Sequence, residues 1–289
     1  MLTKAQFQNL LSQGPLLLDG ATGSNLMKAG MPRGCCTEAW VLDHPDALVA
    51  LQRQYAAAGS RVLYAPTFQA QPIALERVGL EAECEKINEK LVQLSRSVGK
   101  DVLGAGDLTT LAVYCDSFDP ANFDLLVENY RRQICGLIAG GADLLVGETL
   151  MYPQEAEAIL TAAELEGAEC CMYSFTMQSD GSLFSGMDAL PVLKELEAAG
   201  AVAVGFNCGA ADSFTPALVA KLRRVLKGPI LCKPTAGVPV IGEDNLPHYP
   251  MQPKEFAAIM ADCVSLGSSV IGGCCGTDPA FIRAVNQCI

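Results

Sequence analysis

Eight short apolar runs, rich in Val, Ile and Leu, recur along the chain and constrain its fold more than any other feature. Each run is apolar throughout rather than alternating, which is typical of parallel strands buried on both faces. The segments between them carry apolar residues at helical spacing, and several end in glycine. The runs are 15–21, 61–68, 101–108, 143–149, 170–177, 201–208, 229–237 and 269–276, and the clearest helical segments are 46–59, 122–141, 154–167 and 251–267.

This repeat of strand and helix predicts a single α/β domain, a (β/α)8 TIM barrel, over residues 1–289. The 289 residues divided by eight units give about 36 residues per unit, which fits such a barrel. The alternative is a doubly wound sheet, which usually has a glycine-rich dinucleotide turn after its first strand. The segment DGATGSNL lacks that spacing, so the barrel is favoured.

Charge and hydropathy exclude several classes of partner. The net charge is −12, and no cluster of basic residues is longer than the arginine pairs at 131–132 and 223–224, so we expect neither nucleic acid nor an anionic membrane as the main partner. No apolar run is long enough for a transmembrane helix. The N-terminus predicts a short amphipathic helix and lacks a signal-peptide cleavage site, which favours a cytoplasmic protein.

Polar and thiol side chains follow the predicted strands. In a barrel, the active-site groups lie at the carboxyl ends of the strands. The residues at these ends are Asp19, Thr67, Asp107, Glu148, Thr149, Asn207, Cys208, Thr235, Cys274 and Cys275. The strand assignment therefore brings three cysteines and several carboxylates to one rim.

The adjacent pair Cys274 and Cys275 lies among three glycines in GGCCGT. In a regular strand, successive side chains point to opposite faces, so two neighbouring thiols could not reach one target. The glycines relax this constraint and leave room beside the thiols. With Cys208 as a third thiolate, the pattern predicts zinc with one open coordination position, which a substrate can take. The alternative is that these are unrelated buried thiols.

The other cysteines and both histidines are expected to have structural positions. In a reducing compartment, cysteine behaves as a small hydrophobic residue more often than as half of a disulfide. Cys35 and Cys36 lack flanking glycines on both sides and are expected in a loop or the core; His44 and His248 lie beside prolines and are expected to pack in loops outside the catalytic site. The cysteines expected in the core are Cys84, Cys115, Cys135, Cys170, Cys171, Cys232, Cys263 and Cys288.

The predicted site suits one type of reaction. Zinc bound by three thiolates has a net charge of about −1 and is a poor source of hydroxide, but it can hold an incoming thiol as a nucleophilic thiolate. Alkyl transfer to sulfur is the chemistry that fits. A metal-free lyase or aldolase with a Schiff base on Lys233 is an alternative, although the pattern around Lys233 places it below the rim.

Five segments in the same order resemble the homocysteine S-methyltransferase family along essentially the whole chain. They are LLLDGATGSNL (16–26), VGET (146–149), GFNC (205–208), KPTAG (233–237) and GGCCGT (272–277). The stretch 233–257 is most similar to the homocysteine-binding barrel domain of cobalamin-dependent methionine synthase. The resemblance implies methyl transfer to the thiol of homocysteine, giving methionine.

The same resemblance implies the roles of individual residues. Cys208, Cys274 and Cys275 would hold a catalytic zinc, and the homocysteine thiol would be its fourth ligand. The acids Asp19 and Glu148 would hold the substrate ammonium group. The full set of implied substrate-binding residues is Asp19, Gly20, Ala21, Thr22, Gly23, Glu148 and Asn207.

The methyl donor is less constrained. Because the chain ends after the barrel, we expect methylcobalamin on a separate corrinoid protein; the alternatives are S-methylmethionine, or a zinc- and thiol-binding module that is inactive on its own. The segments APTFQA and GAGDLTT depart from the family pattern on the donor side. Thr235 replaces the usual asparagine, which leaves water or its hydroxyl as the resting fourth zinc ligand. Other thiol acceptors and the oligomeric state stay open.

Overall fold

Each of the eight predicted runs contains a strand of one parallel sheet. The computed structural model describes residues 1–243 and 247–289. The strands are β1 Leu16–Leu17, β2 Val62–Tyr64, β3 Leu103–Thr109, β4 Leu144–Leu150, β5 Cys171–Thr176, β6 Ala203–Ala210, β7 Ile230–Thr235, β8 Val240–Ile241, β9 Pro247–His248 and β10 Ser268–Ile271. Strands β8 and β9 form a separate antiparallel hairpin, and the other eight belong to the sheet.

The order of the strands shows that the sheet is a barrel. The sheet runs β1-β10-β7-β6-β5-β4-β3-β2, and its paired strands are parallel. A parallel bridge between Leu18 and Val62 joins the two ends of this order and closes it. The predicted (β/α)8 barrel is therefore confirmed, and the doubly wound alternative is wrong.

Helices surround the barrel. They are α1 Lys4–Leu11, α2 Gly23–Lys28, α3 Thr37–Asp43, α4 Pro45–Ala58, α5 Pro72–Leu75, α6 Cys84–Arg96, α7 Phe123–Ala139, α8 Pro153–Leu165, α9 Ala189–Ala198, α10 Thr215–Arg223, α11 Pro253–Ser265 and α12 Pro279–Asn286. The four clearest helical segments correspond to α4, α7, α8 and α11. Helix α4 shows the local signals that made these segments recognisable. Proline occupies its first turn, and Gly59 ends it with a left-handed φ of 112°.

The interior of the barrel is apolar toward the amino ends of the strands and charged toward their carboxyl ends. Its buried apolar residues are Phe7, Leu16, Leu18, Val62, Tyr64, Ala105, Leu144, Val146, Cys170, Met172, Val202, Ala203, Leu231 and Val270. Because side chains alternate along a strand, the residue two positions further on also faces inward. In β3, β4 and β7 this step leads from apolar to charged side chains, in the pairs Ala105–Asp107, Val146–Glu148 and Leu231–Lys233.

Helix α1 closes the lower end of this interior. Thr3 and Gln6 form a capping box at its start, with Gln6 N–H donating to Thr3 Oγ1 at 3.2 Å and Thr3 N–H to Gln6 Oε1 at 2.8 Å. Phe7 is fully buried and belongs to the inner apolar cluster rather than to the outer one. The predicted amphipathic N-terminal helix is thus present and covers the end of the barrel opposite the strand carboxyl ends.

The thirteen cysteines are all free. Most of those expected in the core are buried; Cys115 and Cys135 are half-buried, whereas Cys288 is exposed because it follows α12, one residue from the end of the chain. The Cys36 thiol is buried 3.3 Å from Glu38 Oε2. His44 packs in the junction between α3 and α4, where its ring stacks on Trp40 with 4.4 Å between centroids. Among the described residues, no helix has the length and apolar content to cross a membrane.

Candidate metal centre and active site

Three cysteines meet at the carboxyl end of the barrel. Cys208 lies in β6, and Cys274 and Cys275 follow β10. All three Sγ atoms lie within 4.8 Å of one another, and the Sγ atoms of Cys274 and Cys275 are 4.0 Å apart. Cys274 is buried and the other two are half-buried. The structure therefore brings together the three thiols that the sequence placed at strand ends.

The backbone after β10 turns the thiols of both Cys274 and Cys275 toward that of Cys208. The N–H of Gly273 donates to the carbonyl of Asp19 at 3.0 Å, and the N–H of Cys274 donates to that of Pro234 at 2.8 Å. The segment is thus held between the residues that follow β1 and those of β7. A Cβ at Gly273 would lie 2.5 Å from Oγ1 of Thr277, so a larger residue cannot occupy this turn without displacing its surroundings.

Hydrogen bonds to residues of β4 and β7 hold the part of β6 around Cys208. Its φ of 61° is left-handed, as is the φ of 58° at Thr149, and such strained positions are typical of functional sites. Asn207 accepts from the N–H of Thr149 at 2.9 Å and donates to its Oγ1 at 2.7 Å. The hydroxyl of Thr235 donates to the carbonyl of Gly209 at 2.8 Å, so its proton points to the β6 backbone.

The thiol cluster fits zinc. Tetrahedral zinc with Zn–S bonds of about 2.3 Å separates two sulfur ligands by about 3.8 Å, close to the 4.0 Å between Cys274 and Cys275. Hydrogen bonds from Cys208 and Cys274 lower the pKa of Cys275 to about 3, whereas hydrogen bonding to its thiol neighbours raises the pKa of Cys208. A set of three soft thiolates suits zinc and not magnesium or calcium.

The thiols open into a cavity with a volume of about 900 Å³. Its wall includes residues from the loop after β1, the inward ends of β3, β4 and β7, and the β8–β9 hairpin. Of the predicted substrate-binding residues, those that line it are Gly20, Ala21, Thr22, Gly23 and Glu148. Clefts of roughly 300–1,000 Å³ are the usual size of small-molecule sites.

Asp19 and Asn207 do not line this cavity. Asp19 is 1% exposed, and its Oδ2 accepts from the N–H of Tyr64 at 2.8 Å. Asn207 is fully buried beside Thr149, and its Nδ2 lies 4.0 Å from the Sγ of Cys274. In the structure, both residues therefore support the wall of the cavity from behind.

Lys233 enters the cavity wall next to Glu148. Its Nζ lies 2.9 Å from Glu148 Oε1 and 4.6 Å from the centre of the Tyr64 ring, and both charged side chains are less than a tenth exposed. Burial disfavours the charged lysine, but Glu148 and the nearby acids outweigh it and raise the pKa of Lys233. A Schiff-base lysine needs a lowered pKa, so this pairing argues against the metal-free aldolase.

Three buried carboxylates share this single lysine. Burial raises the pKa of Asp19 to about 7, although the charge of Lys233 opposes the rise. Burial and the charge of Glu148 raise the pKa of Asp107 well above its usual range. The pKa of Glu148 itself is raised by burial, again against the effect of Lys233. The top of the barrel interior therefore carries more acid than base.

The sequence interpretation placed Lys233 below the rim and missed Tyr249, but both line the cavity. Lys233 could have been found, because it lies two residues beyond Leu231 on the inward face of β7. Tyr249, at the end of the β8–β9 hairpin, lines the cavity, and burial raises its pKa. His248 was expected outside the catalytic site, but it is exposed and also lines the cavity. Within the 233–257 segment, residues 244–246 lie outside the described part of the chain.

Comparison with known proteins identifies the family. The sequence model of the homocysteine S-methyltransferase family matches residues 16–289. The chain belongs to this family. The match includes the three cysteines, Glu148 and the Gly20–Gly23 turn, so the family resemblance stated from the five sequence segments is confirmed.

Two methionine synthases are related to this family member along almost its whole length. The one from Mycobacterium tuberculosis (strain ATCC 25618 / H37Rv) is 27% identical over 302 residues, which cover 97% of this chain and 25% of that protein. The one from Mycobacterium leprae (strain TN) is 25% identical over 301 residues, which cover 96% of this chain and 24% of that protein. The chain thus spans about a quarter of the length of these relatives.

Solved structures share the barrel. The metallated form of the homocysteine methyltransferase MmuM from Escherichia coli superimposes with a TM-score of 0.82 at 25% identity, covering 97% of this chain and 98% of that one. A methyltransferase from Methanosarcina mazei has a TM-score of 0.65 at 12% identity, which shows a common fold. The barrel of this homocysteine S-methyltransferase family member therefore has the same fold as MmuM, whose structure was solved in a metallated form.

Proposed function

We propose that the protein is a zinc-dependent methyltransferase that moves a methyl group to the thiol of homocysteine and gives methionine. The observation that carries this proposal is the convergence of the Cys208, Cys274 and Cys275 thiols within 4.8 Å at the wall of a cavity. The family of the chain and the names of its relatives support the choice of homocysteine as acceptor.

The residues of this chain supply binding and positioning. Cys208, Cys274 and Cys275 would hold the zinc, which would supply a Lewis acid that lowers the pKa of a substrate thiol toward neutral pH. The backbone of the Gly20–Gly23 turn lines the cavity and can donate to the substrate carboxylate. Glu148 presents a buried carboxylate to the cavity, where it can contact the amino group, and Asn207, next to Cys208, is fixed by its side-chain hydrogen bonds to Thr149.

For the donor, we propose methylcobalamin on a separate corrinoid protein. The similarity to methionine synthases over 97% of the chain supports this branch of the family. The cavity volume of about 900 Å³ is at the upper end for a drug-sized ligand and leaves room beside a small amino acid. A second reactant can therefore approach the thiol from the mouth of the cavity.

S-Methylmethionine is the second candidate donor. The observation that favours it is the match to MmuM, which covers 98% of that chain and so involves a barrel of the same extent. Methionine formation from homocysteine, with free methylcobalamin and S-methylmethionine supplied in separate reactions, distinguishes the two. We expect turnover with methylcobalamin. Turnover with S-methylmethionine alone would move the protein to the sulfonium-dependent branch, and no turnover with either would favour a module that acts only with its corrinoid partner.

The metal assignment has its own test. Cys275→Ala removes one of three thiolate ligands, so we expect it to lose most of its zinc and nearly all methyl transfer. Zinc is measured by elemental analysis of protein dialysed without metal. Cys288→Ala is the matched control, because Cys288 is exposed and outside the cluster. A Cys275→Ala protein with full zinc and activity would contradict the assignment.

A further inference from the structure

The charges at the top of the barrel interior do not balance. Asp19, Asp107 and Glu148 are buried there with Lys233, which is the one buried Lys or Arg side chain in the part of the chain that the structure describes. A buried carboxylate without a partner is costly, and proteins keep such groups where a ligand supplies the missing charge. The unbalanced layer therefore points to a cationic ligand group.

Two of the three carboxylates already have a partner. Glu148 Oε1 lies 2.9 Å from Lys233 Nζ, so the charge of Glu148 is largely neutralised within the protein. Asp19 Oδ2 accepts from the N–H of Tyr64; its Oδ1 is also buried without a partner, but Asp19 is not among the residues that line the cavity. Asp19 therefore does not face the cavity, and the Glu148 carboxylate that does face it is already paired with Lys233.

Asp107 is the carboxylate that remains. It lines the cavity and is 5% exposed, and its buried Oδ1 has no hydrogen-bond partner in the protein. Burial and the charge of Glu148 raise the pKa of Asp107, which is the effect expected of an acid that lacks a counter-ion. Among the three acids, Asp107 is the one that both lines the cavity and lacks a charged or hydrogen-bonded partner for its side chain.

The backbone of Asp107 is nevertheless firmly held. Thr67 Oγ1 accepts from its N–H at 3.0 Å and donates to its carbonyl at 2.8 Å, and Gln133 Nε2 donates to the same carbonyl at 3.1 Å. Both supporting side chains are fully buried. A fixed backbone under an unpaired side chain is the arrangement expected of a preorganised binding group.

We propose that Asp107 binds the ammonium group of the acceptor, and that it restricts the acceptor to thiols bearing a free amino group. This inference rests on the proposed function, because it takes homocysteine as the acceptor. The sequence prediction gave that role to Asp19 and Glu148. The inference adds Asp107 on β3 as a residue that determines specificity. Lys233 is the physical reason, since it neutralises Glu148 and leaves Asp107 as the unpaired charge.

The test compares homocysteine with 4-sulfanylbutanoate, which is homocysteine without its amino group. Calorimetric titration of the zinc-loaded protein measures binding of each, so no methyl donor is needed. We expect the unmodified protein to prefer homocysteine by about tenfold to a hundredfold, the usual value of one charge-assisted hydrogen bond. Asp107→Asn is expected to lose this preference while it binds 4-sulfanylbutanoate and zinc as before. Asp124→Asn, an exposed change of the same kind on α7, is the control.

The melting temperature separates this role from a structural one. Because burial raises the pKa of Asp107, keeping this acid in the folded protein costs stability at neutral pH, and Asn has no such cost; the ligand-free Asp107→Asn variant is therefore expected to melt at a higher temperature than the unmodified protein. A preference for homocysteine that survives in Asp107→Asn, or a lowered melting temperature of that variant, would overturn the inference and leave the proposed function intact. Failure of the unmodified protein to bind homocysteine would overturn the proposed function, and the inference with it.

Discussion

At the scale of single residues, the interior ion pair decides which charges the site presents. Lys233 and Glu148 come from β7 and β4, which are not neighbours in the sheet, and meet across the barrel at 2.9 Å. The sequence indicated Glu148 as a strand-end acid, but it did not indicate the pairing. Because side chains from distant strands meet in the interior, only closure of the barrel brings the two charges together.

The ion pair can be tested through stability. Lys233→Met leaves Glu148 buried without its partner, and breaking such a pair costs about 3–5 kcal/mol. We expect a loss of this size in the free energy of unfolding, measured by urea titration. Arg131→Met is the control, because it breaks the exposed pair of Arg131 with Glu166 and should have a far smaller effect. Equal losses in the free energy of unfolding for the two variants would contradict the larger contribution expected of the interior pair.

At the scale of elements, the turn after β10 brings the two neighbouring thiols of the candidate metal centre to one side. Gly273 leaves room for the side chain of Thr277, and the hydrogen bonds to Asp19 and Pro234 hold the turn in place. Adjacent cysteines in a regular strand would face opposite sides. The glycines in GGCCGT predicted a relaxed backbone around the thiols, and the structure ends the strand at Ile271, earlier than the predicted run 269–276.

A change in this turn should affect the metal without touching a ligand. Gly273→Ala places a Cβ 2.5 Å from Thr277 Oγ1, so the turn must shift and the Cys274 and Cys275 thiols must move with it. We expect weaker zinc binding, measured by competition with a chromogenic chelator. Gly99→Ala is the control, because no atom lies within 4 Å of its added Cβ. Unchanged zinc affinity in Gly273→Ala would contradict this account of the turn.

Helix α1 is the second element with a defined task. Phe7 is fully buried against the lower end of the barrel interior. Its replacement in Phe7→Ala is expected to lower the free energy of unfolding by about 3–5 kcal/mol, as is usual for a large core residue. Phe118→Ala, at a position that is 52% exposed, should change it by less than about 0.5 kcal/mol. Chemical denaturation gives both values, and a small effect at Phe7 would show that α1 does not close the barrel.

At the scale of the whole molecule, the three candidate metal ligands come from distant parts of the chain. Cys208 comes from β6, whereas Cys274 and Cys275 follow β10, and β7 lies between these strands in the sheet. A ligand that binds the folded state alone stabilises it by mass action. Zinc is therefore expected to stabilise one side of the barrel rim.

Removal of the metal tests this expectation. Treatment with a chelator should lower the melting temperature, and added zinc but not magnesium should restore it, because thiolates select the softer ion. Differential scanning calorimetry gives the temperatures. Cys275→Ala should melt at the same temperature with and without chelator. A chelator effect that persists in this variant would place the stabilising metal elsewhere.

The sequence by itself determined the barrel, its eight strands and the three metal-ligating candidates, because these follow from local patterns. Continuous apolar runs specify strands buried on both faces, and strand ends in such a barrel share one rim. Only the tertiary structure decided which of the converging groups face the cavity and which pair with each other. It set Asp19 and Asn207 behind the wall, joined Lys233 to Glu148 and left Asp107 unpaired. These outcomes depend on distances across the closed barrel, which no local pattern encodes.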